Sequence, residues 1–259
     1  MAAPSGAAIV SVPIVISHRE AFVHVQQSSL PAFDQMLPTN RSRSVDIAEL
    51  AIGYVLILAV IWTPNPAQRF LYWTAFLWIA VTSIRRWKQT KPSGLGLRGL
   101  LPSLWVAAAA AALFSLGIGL AHWAGSLHAL YGPLPVLAHV GEYAIWALMQ
   151  QFILQVFVLL RLLRLGMRRS MAVALSAAMF GAAHIPNPIL APAATLWAAL
   201  SCILYLRYRN LYPIAVAHAF LGMCLAISIP NAINHHMRVG LGYIRYPGVH
   251  RSHLEVTAR

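Results

Sequence analysis

The sequence predicts an all-α membrane protein, a transmembrane bundle of about seven to eight helices, each needing roughly 20 apolar residues to cross a bilayer. Of its 259 residues, 59% are hydrophobic and only 10% are charged. Soluble globular domains carry about 25% charged residues. Mean hydropathy is +0.66. A single membrane-embedded bundle therefore explains the composition better than one or two soluble domains.

The positive charge lies between the apolar runs. The chain has 19 Lys and Arg against 6 Asp and Glu, a net charge of +13, and a pI near 10.7. Because these charges occupy short loops rather than one soluble face, membrane lipid is the expected partner and nucleic acid is not. Cys202 and Cys224 lie within apolar segments and lack metal-ligand spacing, which favours buried, small hydrophobic residues.

Seven apolar segments are candidates for helices, and turn-forming sequences such as Pro64-Asn65-Pro66 separate them. They cover residues 47–63, 68–84, 100–121, 136–160, 171–184, 189–206 and 211–229. The fifth is so short that it is expected either to be re-entrant or to extend into the basic stretch before it. The membrane-embedded domain is thus expected at 47–229, between a polar, disordered arm at 1–46 and a basic polar tail at 230–259.

Lys and Arg are concentrated in alternate loops, at 85–98, 161–169 and 207–209, whereas the loops after the third and fifth segments hold none. Because cytoplasmic loops are enriched in basic residues, this alternation predicts that these loops and the N-terminus are cytoplasmic, in a cell (inner) membrane. The tail does not follow the pattern. Seven spans place it outside, although it carries four arginines, Arg238, Arg245, Arg251 and Arg259.

Three functional patterns can be set aside. The glycines of Gly94-Leu-Gly96-Leu-Arg-Gly99 match the dinucleotide-binding spacing, but they follow a basic loop rather than a strand. The sequence has no His-Glu-x-x-His zinc motif. Asp34 and Asp46 are its only aspartates and neither lies in the middle of a span, which excludes a two-aspartate intramembrane protease.

Polar side chains within the apolar segments are the candidates for function, because such groups are costly in a bilayer. They are Gln150, Gln151 and Gln155 in the fourth segment, His184 at the end of the fifth and His218 in the seventh. From the cytoplasmic helix ends, Gln150, His184 and His218 lie at depths of about 16, 21 and 12 Å. There are two structural alternatives. The glutamines could form hydrogen bonds between helices, and His184 could be stabilised by its position at a helix C-terminus.

At these residues the chain resembles the CAAX protease and bacteriocin-processing (CPBP) family of intramembrane endopeptidases. The pattern of that family is Glu-Glu-x-x-x-Arg, Phe-x-x-x-His and His-x-x-x-Asn on three successive core helices. Phe180 and His184 match the second motif, with Asn187 in the Pro-Asn-Pro that follows, and His218 matches the third. The resemblance covers roughly residues 95–229. It implies that the first glutamate activates water, while the histidines and asparagine stabilise the oxyanion or bind metal.

The chain departs from that pattern at four positions. Gln150 and Gln151 stand where the family has glutamates, Gln155 where it has arginine, and Gly222 where it has asparagine. The Gln151–Gln155 amide pair keeps hydrogen bonding without leaving one buried charge unpaired. Gln150 matters more, because an amide cannot act as a general base.

The first hypothesis is a divergent intramembrane endopeptidase acting on a membrane-associated peptide or protein. His184 and His218 would activate water and polarise the scissile carbonyl, while Gln150 and Gln151 would position water or substrate, with Gln155 in support. A divalent metal is the one possible cofactor, and it would bind the two histidines. The alternatives are a pseudoprotease that binds a membrane partner, and a small-molecule transporter, for which related halves with broken helices would be expected.

Overall fold

The computed structural model describes residues 40–85, 94–127 and 133–246, and this part of the chain contains helices, turns and no strand. The predicted all-α fold class is therefore confirmed. The α-helices are α1 (Asn40–Trp62), α2 (Ala67–Arg85), α3 (Leu100–Trp123), α4 (Pro133–Phe152), α5 (Leu160–Arg164), α6 (Arg169–Ala182), α7 (Leu190–Tyr208), α8 (Tyr212–Ser228), α9 (Asn231–Asn234) and α10 (Gly240–Ile244). Most of the predicted N-terminal arm lies outside the described residues.

The chain is an integral membrane protein. Four described helical stretches are long and apolar enough to cross a bilayer, namely Arg43–Trp62, Leu100–Trp123, Val140–Arg164 and Leu190–Tyr208. A fifth span results if α8 and the stretch Asn231–Met237, which meet at 114°, are one broken span. All seven predicted segments are helical, but α2 and the shorter α6 are not among these candidate spans.

The first helix begins earlier than the sequence suggests. It starts at Asn40 and so includes Asp46, which the sequence analysis assigned to the polar arm. Asp46 and Glu49 are both buried. Asp46 pairs with Arg164 at 3.6 Å, and Glu49 pairs with Arg161 at 3.4 Å. Because Arg161 and Arg164 of α5 pair with Glu49 and Asp46, the polar turn that holds these two acidic residues is part of α1 and joins this helix to the core.

A π-helical segment, Ile153–Leu159, connects α4 to α5, so the whole stretch from α4 to α5 is one continuous helical path. Its residues from Leu154 to Leu159 are all buried, and they form the centre of the core. The ring of Phe157 packs against Gly53 of α1, where a Cβ atom would clash with it. Short π segments frequently occur at functional sites, because the wider turn changes which side chains face a neighbour.

The described part of the C-terminal tail folds back on the bundle. The backbone N–H of Gly240 donates to the carbonyl of Ile185 at 2.9 Å. Gly240 has φ +53° and lies so close to Ile61 that a Cβ atom would not fit. Ile61 is at the opposite end of α1 from Asp46, the partner of Arg164. This part of the tail therefore lies at the end of the bundle opposite the basic stretch 161–169.

Candidate functional site

A chain of hydrogen bonds links α4, the π segment, α7 and α8 in the core. The Nε2 atom of Gln151 lies 3.1 Å from Nδ1 of His218, and the Nε2 atom of Gln155 donates to Oε1 of Gln151 at 3.1 Å. Gln155 Nε2 also donates to the hydroxyl of Ser201 at 3.1 Å. Gln151, Gln155 and Ser201 are fully buried, and His218 is 9% exposed. Gln151 and Gln155 share a helix face, which is why one chain of bonds can include both.

The donors in this chain determine which nitrogen of His218 carries the proton. The Ser201 hydroxyl donates to the carbonyl of Ala198 at 3.1 Å, so its oxygen accepts from Gln155. The amide of Gln155 thus donates to Gln151, whose own NH₂ group is directed at Nδ1 of His218. Since Nδ1 accepts, neutral His218 carries its proton on Nε2, an assignment that follows from the hydrogen-bond network.

His184 has the opposite tautomer. It lies just beyond the C-terminus of α6, and its Nδ1 atom is 2.7 Å from the carbonyl oxygen of Phe180. A carbonyl can only accept, so Nδ1 of His184 carries the proton and donates it. Its Nε2 atom therefore offers a lone pair. The two histidines thus present complementary groups: a lone pair on His184 Nε2 and an N–H on His218 Nε2.

Phe180 positions both imidazoles. Its ring centroid is 4.9 Å from that of His184 and 6.0 Å from that of His218. Trp197 of α7 contacts His218 as well, at 6.0 Å. Its indole N–H is buried and has no hydrogen-bond partner among the described residues. Aromatic packing therefore fixes the orientation of the His218 ring, whose Nδ1 is already bonded to Gln151.

Gln150 and His184 line a cavity of about 240 Å³ between α1, α2, α4 and α6. The remaining lining is almost entirely apolar, and it extends from Val239 in the tail to Val158 in the π segment. Of the predicted site residues, Gln151 is thus hydrogen-bonded to both Gln155 and His218, whereas Gln150 and His184 line the same cavity. Phe180 lines this cavity and also contacts His218, so it connects the two groups.

Asn187 has a structural position beside the site. Its side chain is fully buried, and Nδ2 donates to Oδ1 of Asn234 and to the carbonyl of Arg238, both at 3.1 Å. Its Oδ1 accepts from the backbone N–H groups of Ile189 and Leu190 and so caps the start of α7. Asn187 therefore fixes the turn after His184 and holds the C-terminal segment against it.

At Gly222 the space that a side chain would need is occupied. A Cβ atom there would collide with the hydroxyl of Tyr143 of α4. Sequence reasoning missed Tyr143, although it lies seven residues before Gln150, about two turns along the same helix. It also missed Ser201 and Trp197. No sequence signal marks these last residues, because serine and tryptophan are unexceptional in apolar helices.

The donor set does not match an ordinary metal site. The described residues contain no group of three or more His, Cys, Asp or Glu side chains able to hold a metal ion. Structural and catalytic zinc sites use three or four protein ligands. Here the hydrogen bonds leave a lone pair on Nε2 of His184 but a proton on Nε2 of His218, and the neutral glutamine amides add no anionic ligand. The site residues therefore do not fit a divalent metal, and no step of the chemistry below passes through one.

The fold and site together define an integral membrane protein with a histidine- and glutamine-lined core, the class that the sequence resemblance indicates. A family model described as Type II CAAX prenyl endopeptidase Rce1-like matches residues 132–224. The resemblance is thereby confirmed over this part of the chain, from α4 to most of α8. No curated protein and no solved structure matches the chain.

Proposed function

We propose that the protein is an intramembrane endopeptidase that hydrolyses a peptide bond in a membrane-associated peptide or protein. One observation carries the proposal: His184 and His218 share contact with Phe180, and the hydrogen bonds of their Nδ1 atoms assign them opposite tautomers. A lone pair that accepts a proton and an N–H that donates a hydrogen bond are the two groups that water addition to a carbonyl requires.

In this mechanism Nε2 of His184 removes a proton from water as the water oxygen attacks the carbonyl carbon. The N–H of His218 donates to the developing oxyanion, and such a donor acts most strongly in a site from which water is excluded. When the tetrahedral intermediate collapses, the C–N bond breaks and protonated His184 gives its proton to the leaving amine. Gln150, on the same cavity as His184, positions the water or the scissile peptide group.

Gln151 and Gln155 act through His218. Gln151 directs an N–H at Nδ1 and so keeps the proton of His218 on Nε2, where the oxyanion needs it. Gln155 orients Gln151, since its own NH₂ group is fixed by Ser201. These side chains are positioning residues, and they replace a charged pair by a neutral network that needs no compensating ion.

The test is cleavage of an apolar, fluorescence-quenched peptide library by the full-length protein in phospholipid vesicles. His184→Gln should abolish cleavage, because an amide cannot take the proton. His218→Gln keeps an N–H donor and should retain partial activity, whereas His218→Ala should lose about 10²–10³-fold in kcat. His122→Ala, at an exposed position on α3, is the matched control. Equal activity of His184→Gln and wild type would refute the mechanism.

The second candidate is a pseudoprotease that binds a membrane partner on the same fold. The glutamines at positions 150 and 151, where the resembling family has glutamates, favour it. Both candidates act on or bind a peptide within the membrane, so lipid and a membrane polypeptide are the proposed partners. For either, we propose a cell (inner) membrane location with the N-terminus and basic loops in the cytoplasm.

A further inference from the structure

The C-terminal segment 231–246, called the strap here, crosses one end of the cavity. Val239 of the strap is part of the cavity wall. The next residue, Gly240, donates its backbone N–H to the carbonyl of Ile185, in the turn after α6, at 2.9 Å. On its other side Gly240 lies against Ile61 of α1, which also lines the cavity. The strap therefore bridges two walls of the cavity, with Val239 between them.

Asn187 fastens the strap in this position. Its Nδ2 atom donates to the backbone carbonyl of Asn234 at 3.0 Å, to Oδ1 of Asn234 at 3.1 Å and to the carbonyl of Arg238 at 3.1 Å. An amide NH₂ group has two hydrogens, so these acceptors share them. The side chains of Asn187 and Asn234 are both fully buried. One side chain thus supplies most of the hydrogen bonds that join the strap to the bundle in the described part of the chain.

The backbone of the strap is strained next to this attachment. His235, His236 and Met237 are consecutive, and their φ values are 47°, 53° and 58°. Positive φ costs energy in an L-residue because Cβ approaches a carbonyl oxygen, and residues other than glycine adopt it singly rather than in runs. Such strain persists only where surrounding contacts hold it, and it is typical of switch segments. Release of the Asn187 contacts would therefore let this backbone relax away from the cavity.

The strap also has its own internal packing and a hinge. His235 stacks on Tyr243 and Tyr246, with ring centroids 4.0 and 4.7 Å apart, and its Nδ1 atom donates to the carbonyl of Tyr243 at 3.1 Å. These contacts lie within the strap, so they need not break when it leaves the bundle. The helix that follows Pro230 meets α8 at 114°. A boundary between two elements is where hinges absorb changes of backbone angle.

We propose that the strap is a gate, which closes the end of the cavity beside His184 and opens by swinging about Pro230 when the Asn187 contacts break. Its outward side chains suit this motion, because His236, Arg238 and Arg245 are polar and exposed. The strap lies outside residues 132–224, which the family model matches, so this gate belongs to the part of the chain beyond that match. It concerns entry to the cavity, and it therefore holds for an enzyme and for a pseudoprotease alike.

Modification of a cysteine in the cavity measures the gate without any cleavage. With Cys202→Ala and Cys224→Ala removing the native thiols, Ala183→Cys places one thiol on the cavity wall directly before His184. A charged, membrane-impermeant methanethiosulfonate is added on the side from which His236→Cys reacts, and the rate of modification is followed.

Two variants of the strap should change this rate in opposite directions. Asn187→Asp keeps the oxygen that caps α7 but replaces the donor to the strap by an acceptor, so modification should be about tenfold faster. Met237→Gly should slow it about threefold to tenfold, because glycine adopts positive φ without strain and so favours the closed strap.

Asn210→Asp is the matched control. Asn210 is also fully buried, donates to two backbone carbonyls and accepts from the N–H of Tyr212, but it lies at the other end of α8 from the strap. It should leave the rate unchanged. Equal rates in Asn187→Asp and wild type, an unchanged or faster rate in Met237→Gly, or an equal acceleration by Asn210→Asp would overturn the inference. So would a wild-type rate as high as that of the exposed His236→Cys.

Discussion

Gln151 Nε2 lies 3.1 Å from Nδ1 of His218, and this contact determines which nitrogen of the imidazole carries the proton. Because Gln155 donates to Oε1 of Gln151, only the NH₂ group of Gln151 is left to meet the imidazole. The side-chain NH₂ group of Gln151 thus donates to Nδ1 of His218. A carboxylate at position 151 would instead accept a hydrogen bond there and would draw the ring proton to Nδ1.

This difference predicts the effect of Gln151→Glu. The variant should move the neutral His218 proton from Nε2 to Nδ1, remove the donor from the proposed oxyanion position and lower kcat about 10²–10³-fold. The ¹⁵N chemical shifts of selectively labelled histidine measure the tautomer directly. His184, bonded to the carbonyl of Phe180, should keep its tautomer in the same spectrum and serves as the internal control. An unchanged His218 spectrum would contradict the proposed direction of the amide chain.

The second prediction concerns the charged contacts between α1 and α5. Arg161 is 1% exposed, bonds to Glu49, and also donates to the carbonyl of Phe157 at 3.0 Å. Glu49→Gln should destabilise the fold by about 3–5 kcal/mol, because it leaves a buried guanidinium without its carboxylate. The double variant Glu49→Gln, Arg161→Met should recover much of that loss, since it removes both charges.

The measurement is unfolding of the purified protein by increasing mole fraction of sodium dodecyl sulfate, followed by circular dichroism. Glu142→Gln is the control, because Glu142 is the same residue type at an exposed position on α4. If Glu49→Gln and Glu142→Gln unfold at the same detergent fraction, the ion pair does not join α1 to the core.

The third prediction concerns topology. Single cysteines at Arg98, Arg168 and Arg207, exposed positions in the three basic loops 85–98, 161–169 and 207–209, should all be labelled by a membrane-impermeant maleimide only from the cytoplasmic side, in a background without Cys202 and Cys224. A cysteine at His236, an exposed residue of the described tail, should be labelled from the opposite side, because Gly240 packs at the far end of α1. Labelling of any basic loop from the same side as position 236 would contradict the assignment.

Part of this arrangement could be predicted from the sequence, because the length of an apolar segment and its helical period depend on local residues. The helix spacing placed Gln151 and Gln155 on one face, and they do bond to each other. The spacing does not show which face of α4 contacts His218, so the sequence analysis gave Gln150 and Gln151 the same role. In the structure Gln151 bonds to the imidazole of His218, whereas Gln150 lines the cavity. The π segment after Phe152 adds a wider turn that no sequence period reveals.

Long-range partners account for the remaining differences. Asp46 looks like part of a polar arm until Arg164 is placed beside it, from more than a hundred residues away in the chain. Asn187 looks like part of a catalytic motif, but its side chain caps α7 and holds the tail. Ser176 looks like any helical serine. Only the packing of α6 shows that this residue lines a cavity and that its hydroxyl is buried without a hydrogen-bond partner among the described residues.

The last prediction separates an enzyme from a pseudoprotease. Gln150→Glu alone should gain little, because a single carboxylate moved into an apolar cavity pays a large desolvation cost without a compensating cation. The triple variant Gln150→Glu, Gln151→Glu, Gln155→Arg introduces that cation beside Ser201 and lets position 150 act as a general base, worth about 10²–10⁴-fold in rate. That gain is set against the loss of about 10²–10³-fold expected when Gln151→Glu draws the His218 proton to Nδ1.

The assay is cleavage of the quenched peptide library in vesicles by wild type, Gln150→Glu and the triple variant, with His184→Gln added to each. If wild type is an enzyme, it cleaves, and His184→Gln abolishes its activity. If it is a pseudoprotease, wild type is inactive and the triple variant cleaves even in the presence of His184→Gln, because the new carboxylate has replaced the imidazole as base.

Gly222 limits how much activity such variants can restore. An asparagine there would collide with the hydroxyl of Tyr143, so Gly222→Asn should help only when Tyr143→Ala makes room for it.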